Sequence, residues 1–147
     1  MKKIVLIAAL LAAAAVQPGW TAEKAKAKGS CPPANAREAE QAIRFMTDLM
    51  IVSSQCQDTV YAEFRLRNRD AIVGYQKAMI THLHGNAAFD RWNTSLANQA
   101  ASKQGGNQQL CQQSVPMLQQ AKALDAKGFR AYAAAQAAIA GGASCGK

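Results

Sequence analysis

Apolar residues recur at three- and four-residue steps along most of this chain, which is the period of an amphipathic helix. The first such series ends at a cysteine and comprises Ala42, Phe45/Met46, Leu49, Val52/Ser53 and Cys56. Asn35 and Glu38 before it have the spacing of a capping box. The pattern therefore predicts a first helix that starts at Asn35 and carries Cys56 at the end of its buried face.

A second, longer series predicts one helix capped at its start by Asp58. Its apolar face comprises Tyr61, Phe64, Asn68, Ile72, Tyr75, Met79 and His82/Leu83. The helix should end at the sequence HGN, with Gly85 in the left-handed conformation and Asn86 as the cap of the next helix.

Three further helices are predicted from the same period. The third buries Phe89, Trp92, Leu96 and Ala100 and ends at Gly105-Gly106. The fourth starts at Asn107, buries Leu110, Cys111, Val115, Leu118, Ala121 and Leu124, and is kinked or restarted near Pro116. A short fifth follows Gly128, buries Phe129, Tyr132, Ala133, Gln136 and Ile139/Ala140, and closes at Gly141-Gly142.

No sustained alternation of β-branched residues is present in the sequence, so the predicted fold class is all-α. Short connections place successive helices antiparallel. We therefore expect a small antiparallel helical bundle of four main helices plus a short C-terminal helix, held by two disulfides.

The N-terminal residues predict export. Lys2 and Lys3 precede an apolar run that is too short to span a membrane, as in a secretory signal peptide. We assign residues 1–22 to the signal peptide, 23–34 to a flexible basic leader and 35–147 to the helical bundle domain. Cleavage after Ala22 is preferred despite Trp20, and cleavage after Ala15 or retention as an uncleaved anchor are the alternatives.

The chain is basic, with a formal net charge of +8. Loss of Lys2 and Lys3 from the 17 basic residues leaves 15, and with nine acidic residues the mature charge is +6. In an exported protein, a positive net charge favours an anionic envelope surface or an acidic protein as the partner, rather than nucleic acid. The alternative interpretation is that the charge only keeps the protein soluble. Arg65, Arg67 and Arg69 stand two apart, so at most two of them share one helix face.

Four cysteines in an exported chain predict two disulfides. Counting antiparallel helices places the end of the first helix beside the start of the fourth, which pairs Cys56 with Cys111. Cys31 and Cys145 then form the second pair by exclusion. This second pair depends on the fifth helix, which could carry Cys145 away from Cys31 if it folded fully back.

Three short segments, AIRFMTDLMIVSSQC, LANQAAS and QQLCQQ, resemble an uncharacterised family of small exported, cysteine-containing helical proteins of Gram-negative bacteria. The resemblance covers roughly residues 42–115. It implies export, a helical fold and the Cys56–Cys111 pair, and it implies no activity.

Signals for cofactor or redox chemistry are weak. His82, His84, Met46 and Met50 are metal-binding residue types, but the two histidines stand two apart and point to different sides of a helix. Cys-x-x-Cys and haem-attachment motifs are absent from the sequence. We therefore expect no cofactor and assign no metal ligand.

One pair of carboxylates, Glu63 and Asp70, has a spacing that would suit a hydrolytic enzyme, because the two residues stand two helical turns apart. Glu63 is also four residues before Arg67, the spacing of an ordinary surface ion pair, and no residue is assigned as catalytic. We expect a periplasmic or envelope-associated protein, with secretion as the second choice, that acts by binding or as a structural or stress protein. The alternative is a periplasmic enzyme or metal-handling protein.

Overall fold

The computed structural model of the chain describes residues 31–103 and 108–144. These residues form seven helices, rather than the expected five, and no strand, which confirms the all-α class. The helices are α1 (Ala34–Gln55), α2 (Val60–Arg67), α3 (Arg69–His82), α4 (Asn86–Lys103), α5 (Gln108–Gln113), α6 (Val115–Ala123) and α7 (Ala126–Ser144). The predicted signal peptide, most of the leader, Gly105-Gly106 and Asn107 lie outside the described residues.

Helix α1 is central and packs most extensively against α3 and α7. Its predicted buried face is confirmed, since Ala42, Leu49 and Val52 are fully buried. The capping box at Asn35 is wrong, because α1 begins at Ala34 after Pro33 and no side chain caps it. The Pro33 carbonyl accepts from N–H groups of the first turn, so Asn35 already lies inside the helix.

An aromatic cluster joins four of the helices. The Phe129 ring of α7 lies 4.9 Å from the Phe64 ring of α2 and 5.5 Å from the Tyr75 ring of α3, both edge-on. Phe45 of α1 packs 5.7 Å from Phe64 and 4.8 Å from Tyr132 of α7. Such pairs add to the hydrophobic gain of burial, so this cluster is the centre of the core.

The predicted long second helix is broken at Asn68, which is fully buried. Its Nδ2 donates to the Phe64 carbonyl and to the Leu124 carbonyl, at 3.0 and 3.2 Å. An asparagine that bonds backbone carbonyls competes with the regular helix, and Asn68 departs from helical geometry with φ of −110° and ψ of 15°. The break separates α2 from α3 without changing the buried face, which is confirmed from Phe64 to Met79.

The turns before α2 and after α3 agree only partly with expectation. Before α2, Asp58 Oδ1 accepts from the Val60 N–H at 2.9 Å. The N-cap position is nevertheless Thr59, and no side chain caps the helix from it, so the predicted cap at Asp58 is wrong by one residue. After α3, His84 takes the left-handed conformation with φ of 60°, and Gly85 follows with φ of 140°. The left-handed residue is thus one position earlier than predicted, and the Gly85 N–H closes the turn on the Ile80 carbonyl.

The fourth predicted helix is restarted near Pro116 as expected, with α5 ending before Ser114 and α6 starting at Val115. Val115 is predicted to be buried but is 48 % exposed. The neighbouring Ser114 is buried instead, so the predicted buried position is wrong by one residue. Ile139 of α7, also predicted to be buried, is 68 % exposed.

The predicted short fifth helix is wrong. Helix α7 has 19 residues, begins before Gly128 and runs through Gly141-Gly142 to Ser144. Its start is capped by Asp125, whose Oδ1 accepts from the Gly128 N–H at 2.7 Å. At its other end, the Arg37 guanidinium lies 3.3 Å from where a Gly141 side chain would begin, so glycine permits the close approach of α7 to α1.

The Cys56–Cys111 disulfide is confirmed and joins the end of α1 to α5 across 55 positions. Cys31 is not a free thiol. Its predicted partner Cys145 lies outside the described residues, so the second pair stays a prediction.

Candidate binding groove

A groove runs along the outer face of α2 and α3, with a volume of about 650 Å³. We call it the α2–α3 groove. Its lining residues come from α1, α2 and α3 and are Met46, Tyr61, Ala62, Arg65, Leu66, Arg69, Ile72, Val73 and Gln76. The groove is therefore carried mainly by the two helices on either side of the Asn68 break.

A hydrogen-bond network close to Cys56 orients α2 and with it the start of the groove. The buried Ser53 hydroxyl of α1 donates to the Asp58 carboxylate and accepts from the Tyr61 N–H. The carboxylate also accepts from the Val60 N–H. Because Ser53 is buried and bonded on both sides, the start of α2, including Tyr61, is fixed against α1.

The groove has an apolar floor and apolar walls that reach water. Met46 and Ile72 are buried and form the floor. Leu66 and Val73 remain 81 % and 40 % exposed. A single exposed leucine is ordinary, but contiguous apolar side chains in a concave surface are typical of interaction sites.

Two arginines give the groove a positive rim. The Arg65 guanidinium lies 5.6 Å from the centre of the Tyr61 ring, a cation–π contact that restrains its position. Arg69 lines the same surface, and none of the described lining residues is acidic. The groove therefore combines apolar area with positive charge.

Arg67 points elsewhere, as the spacing of the three arginines predicts. Its guanidinium donates to the carbonyls of Ala121, Lys122 and Leu124, where α6 ends. A cation bonded to the last carbonyls of a helix stabilises that end. Arg67 is thus structural, and Glu63 instead accepts from the Thr59 hydroxyl at 2.6 Å.

Two other cavities are less suited to a partner. One of about 650 Å³ lies along α4 alone and is lined by polar and charged residues from Asp90 to Ser102, so a single helix face bounds it. Another of about 400 Å³ lies between α1, α6 and α7 and contains Asp48 and Tyr132. Burial raises the pKa of the Asp48 carboxyl, although the positive charges of Lys103 and Arg44 act to lower it. The pKa of the Tyr132 phenol is also raised, first by burial and second by the negative charge of Asp48.

The weak metal candidates are not brought together as one set. Met46 is buried in the groove floor, whereas Met50 is 36 % exposed. His82 is half-buried at the end of α3, and His84 is exposed in the following turn. Among the described residues, no group of three or more His, Cys, Asp or Glu side chains is placed to hold a metal ion.

The carboxylate pair considered for hydrolysis does not share a cavity. Glu63 is exposed on α2. Asp70 follows the Asn68 break and lines a different cavity from the α2–α3 groove, together with Glu38 and Tyr75. The pair therefore gives no support to a hydrolytic site.

The groove residues Leu66 and Val73 are not among those singled out from the sequence. The available signal is a second series on the same segment, Ala62, Arg65/Leu66, Arg69, Val73 and Gln76, at helical spacing. It runs beside the buried face, and a helix with apolar residues beyond its buried face can present them to a partner.

Comparison of the chain with family models, with curated proteins and with solved structures finds no match in any of the three. The resemblance to small exported helical proteins therefore stays a prediction. Over the described residues, no helix combines the length and the apolar character needed to cross a membrane.

Proposed function

We propose that this protein is an exported binding protein that docks an acidic, apolar-faced helical segment of a partner protein in the α2–α3 groove. The observation that carries the proposal is the combination of exposed Leu66 and Val73 with Arg65 and Arg69, in a surface with no acidic residue among its described lining. Such a surface is complementary to a segment that carries both leucine side chains, for the apolar area, and glutamate side chains, for the arginines.

The shape of the groove favours a protein segment over a lipid surface. A concave channel between Tyr61 and Gln76 extends at most about 22 Å along the helices, the length of about four turns of a partner helix. An amphipathic helix fills such a channel with side chains spaced three and four residues apart. A flat bilayer would meet the exposed Leu66 but would leave the buried floor uncovered.

The net charge of the chain supports the same partner. The charge is +8, or +6 without Lys2 and Lys3, and it attracts acidic molecules over distances of about a Debye length. This attraction accelerates encounter, while the two rim arginines select the register of the bound helix.

We further propose that the protein functions in the periplasm after cleavage at Ala22 and that Cys31 pairs with Cys145. The Cys56–Cys111 bond is compatible with an oxidising compartment. The close approach of Gly141 to Arg37 supports the second pair, because Cys145 and Cys31 are close in sequence to these two residues.

The groove is tested by titrating the ¹⁵N-labelled protein with a synthetic acidic amphipathic helix that has leucines at three- and four-residue steps and flanking glutamates. We expect amide shifts concentrated in residues 61–76 and a loss of affinity of at least about tenfold in the double variant R65S/R69S. The matched control is R91S, which removes an exposed arginine of α4 outside the groove. Equal effects of the two variants would overturn the proposal, as would binding to anionic vesicles without binding to the peptide.

Export and the second disulfide have their own test. Expression of the full chain in a Gram-negative host should give a periplasmic protein that starts at Glu23, and non-reducing peptide mapping should link Cys31 to Cys145. An uncleaved cytoplasmic protein, or a peptide linking Cys31 to Cys56, would contradict this part of the proposal.

A further inference from the structure

A smaller pocket of about 280 Å³ lies between α1, α3 and α7 and shares no lining residue with the α2–α3 groove. We call it the Glu38–Tyr75 pocket. It falls just below the usual volume range of sites for drug-sized ligands, about 300–1,000 Å³, and so suits a smaller molecule.

The pocket places groups of both charges around one space. The Tyr75 hydroxyl donates to Glu38 Oε1 at 2.7 Å, which leaves the second carboxylate oxygen of Glu38 as an acceptor. Asp70 and Arg130 also line the pocket, and within the described part of the chain neither side chain makes a hydrogen bond or an ion pair. The pocket thus offers the half-buried Glu38 carboxylate, together with the exposed Asp70 carboxylate and Arg130 guanidinium at its mouth, to a ligand.

The Tyr75 phenol is held in its protonated form. Burial, followed by the hydrogen bond to Glu38 and the negative charge of Glu38, raises the pKa of Tyr75. At neutral pH the phenol is therefore a fixed donor that orients the Glu38 carboxylate.

One side of the pocket is lined by small residues of α3, namely the buried Ala71, the half-buried Ala78 and the exposed Gly74. A side chain added at Gly74 would meet nothing within 4 Å. Glycine in a helix interior costs about 1 kcal/mol relative to alanine, and no neighbouring atom of the described residues requires it here. Gly74 is exposed, so the space above it is open to solvent and can be reached by a ligand.

We propose that the Glu38–Tyr75 pocket binds a free zwitterionic α-amino acid, with the ammonium at Glu38 and Asp70 and the carboxylate at Arg130. A zwitterion matches the opposed charges, and charge-assisted hydrogen bonds at both ends fix its orientation. The side chain of the ligand then lies against Ala71, Gly74 and Ala78.

The test is an NMR titration of the full protein with L-leucine, leucinamide and N-acetylleucine. We expect leucine to shift the amides around Gly74 with a sub-millimolar Kd, and each blocked analogue to bind at least about tenfold more weakly. R130Q should abolish the preference for leucine over leucinamide, because only the carboxylate contact is lost. E38Q should weaken leucine binding at least about tenfold, whereas the control E63Q, at an exposed glutamate outside the pocket, should not.

A blocking variant separates binding from folding. G74L fills the open space and replaces a poor helix former, so we expect it to abolish leucine binding while the protein stays at least as stable. R65S/R69S should leave leucine binding unchanged, which separates this site from the α2–α3 groove. Absence of leucine binding to the wild-type protein, or equal effects of E38Q and E63Q, would overturn the proposal.

Discussion

Removal of the Cys56–Cys111 disulfide tests most sharply how the helices are held together. The bond joins the end of α1 to α5, whereas the most extensive packing of α1 is against α3 and α7. We consider the double variant C56A/C111A, which leaves no unpaired thiol at either position.

The expected magnitude follows from the loop that the bond closes. For a separation of 55 residues, the chain-entropy relation gives a loss of about 4 kcal/mol in the free energy of unfolding. That is a large part of the about 5–15 kcal/mol that stabilises a typical native protein. The helices should nevertheless form, because the aromatic cluster around Phe129 does not involve the bond.

The assay is urea unfolding followed by circular dichroism, with the wild-type protein and Q112A on the exposed face of α5 as controls. We expect native helicity in the variant without urea and a much lower midpoint. A change below about 1 kcal/mol would refute the reasoning, since it would mean that the bond constrains little of the unfolded chain.

Three further changes probe the core, the α2–α6 contact and the buried tyrosine. F129A empties a fully buried site and should lower the free energy of unfolding by about 3–5 kcal/mol in urea unfolding; a loss below about 1 kcal/mol would contradict the central place of this ring. R67M keeps the aliphatic stem but loses the bonds to the end of α6, and should cost about 1–2 kcal/mol in the same assay, with an unchanged midpoint as the contrary result. Because the folded state raises the pKa of Tyr75 above the usual 10.0, the contribution of the protonated phenol to stability is full below pH 10 and is lost as pH rises further. Y75F should therefore show a shallower loss of stability than wild type in alkaline urea titrations, and identical slopes would contradict the assignment.

The buried faces could be predicted from the sequence because they depend on the helical period alone. Phe64, Ile72, Tyr75 and Met79 are all buried, although α2 and α3 are separate helices. The break itself could not be predicted, since it depends on the carbonyl of Leu124, 56 positions away, that bonds the Asn68 side chain. Long-range contacts of this kind leave no local signal.

Helix α7 is longer than the sequence predicts for a local reason. Gly128 suggests a helix boundary, but Asp125 three residues earlier caps its N–H, so the glycine lies in the first turn. The close approach of Gly141 to Arg37 explains why glycine is accommodated near the other end. The glycines at 128 and 141–142 therefore predict helix ends from the sequence, although α7 continues through all of them.

The candidate sites were the least predictable part of the molecule. The charges of Arg65 and Arg69 are evident from the sequence. That they line the same groove as Leu66 and Val73 depends on how α2 and α3 are oriented against α1. The Glu38–Tyr75 contact joins residues 37 positions apart and has no sequence motif.

A charge swap at the rim of the α2–α3 groove tests the proposed binding site most directly. The affinity of R65E/R69E should fall at least about tenfold for the acidic amphipathic peptide and rise for an analogue in which every glutamate is lysine, because both peptides keep the same apolar face. Unchanged affinity of both peptides for the swapped protein would contradict the claim that this groove is the binding site.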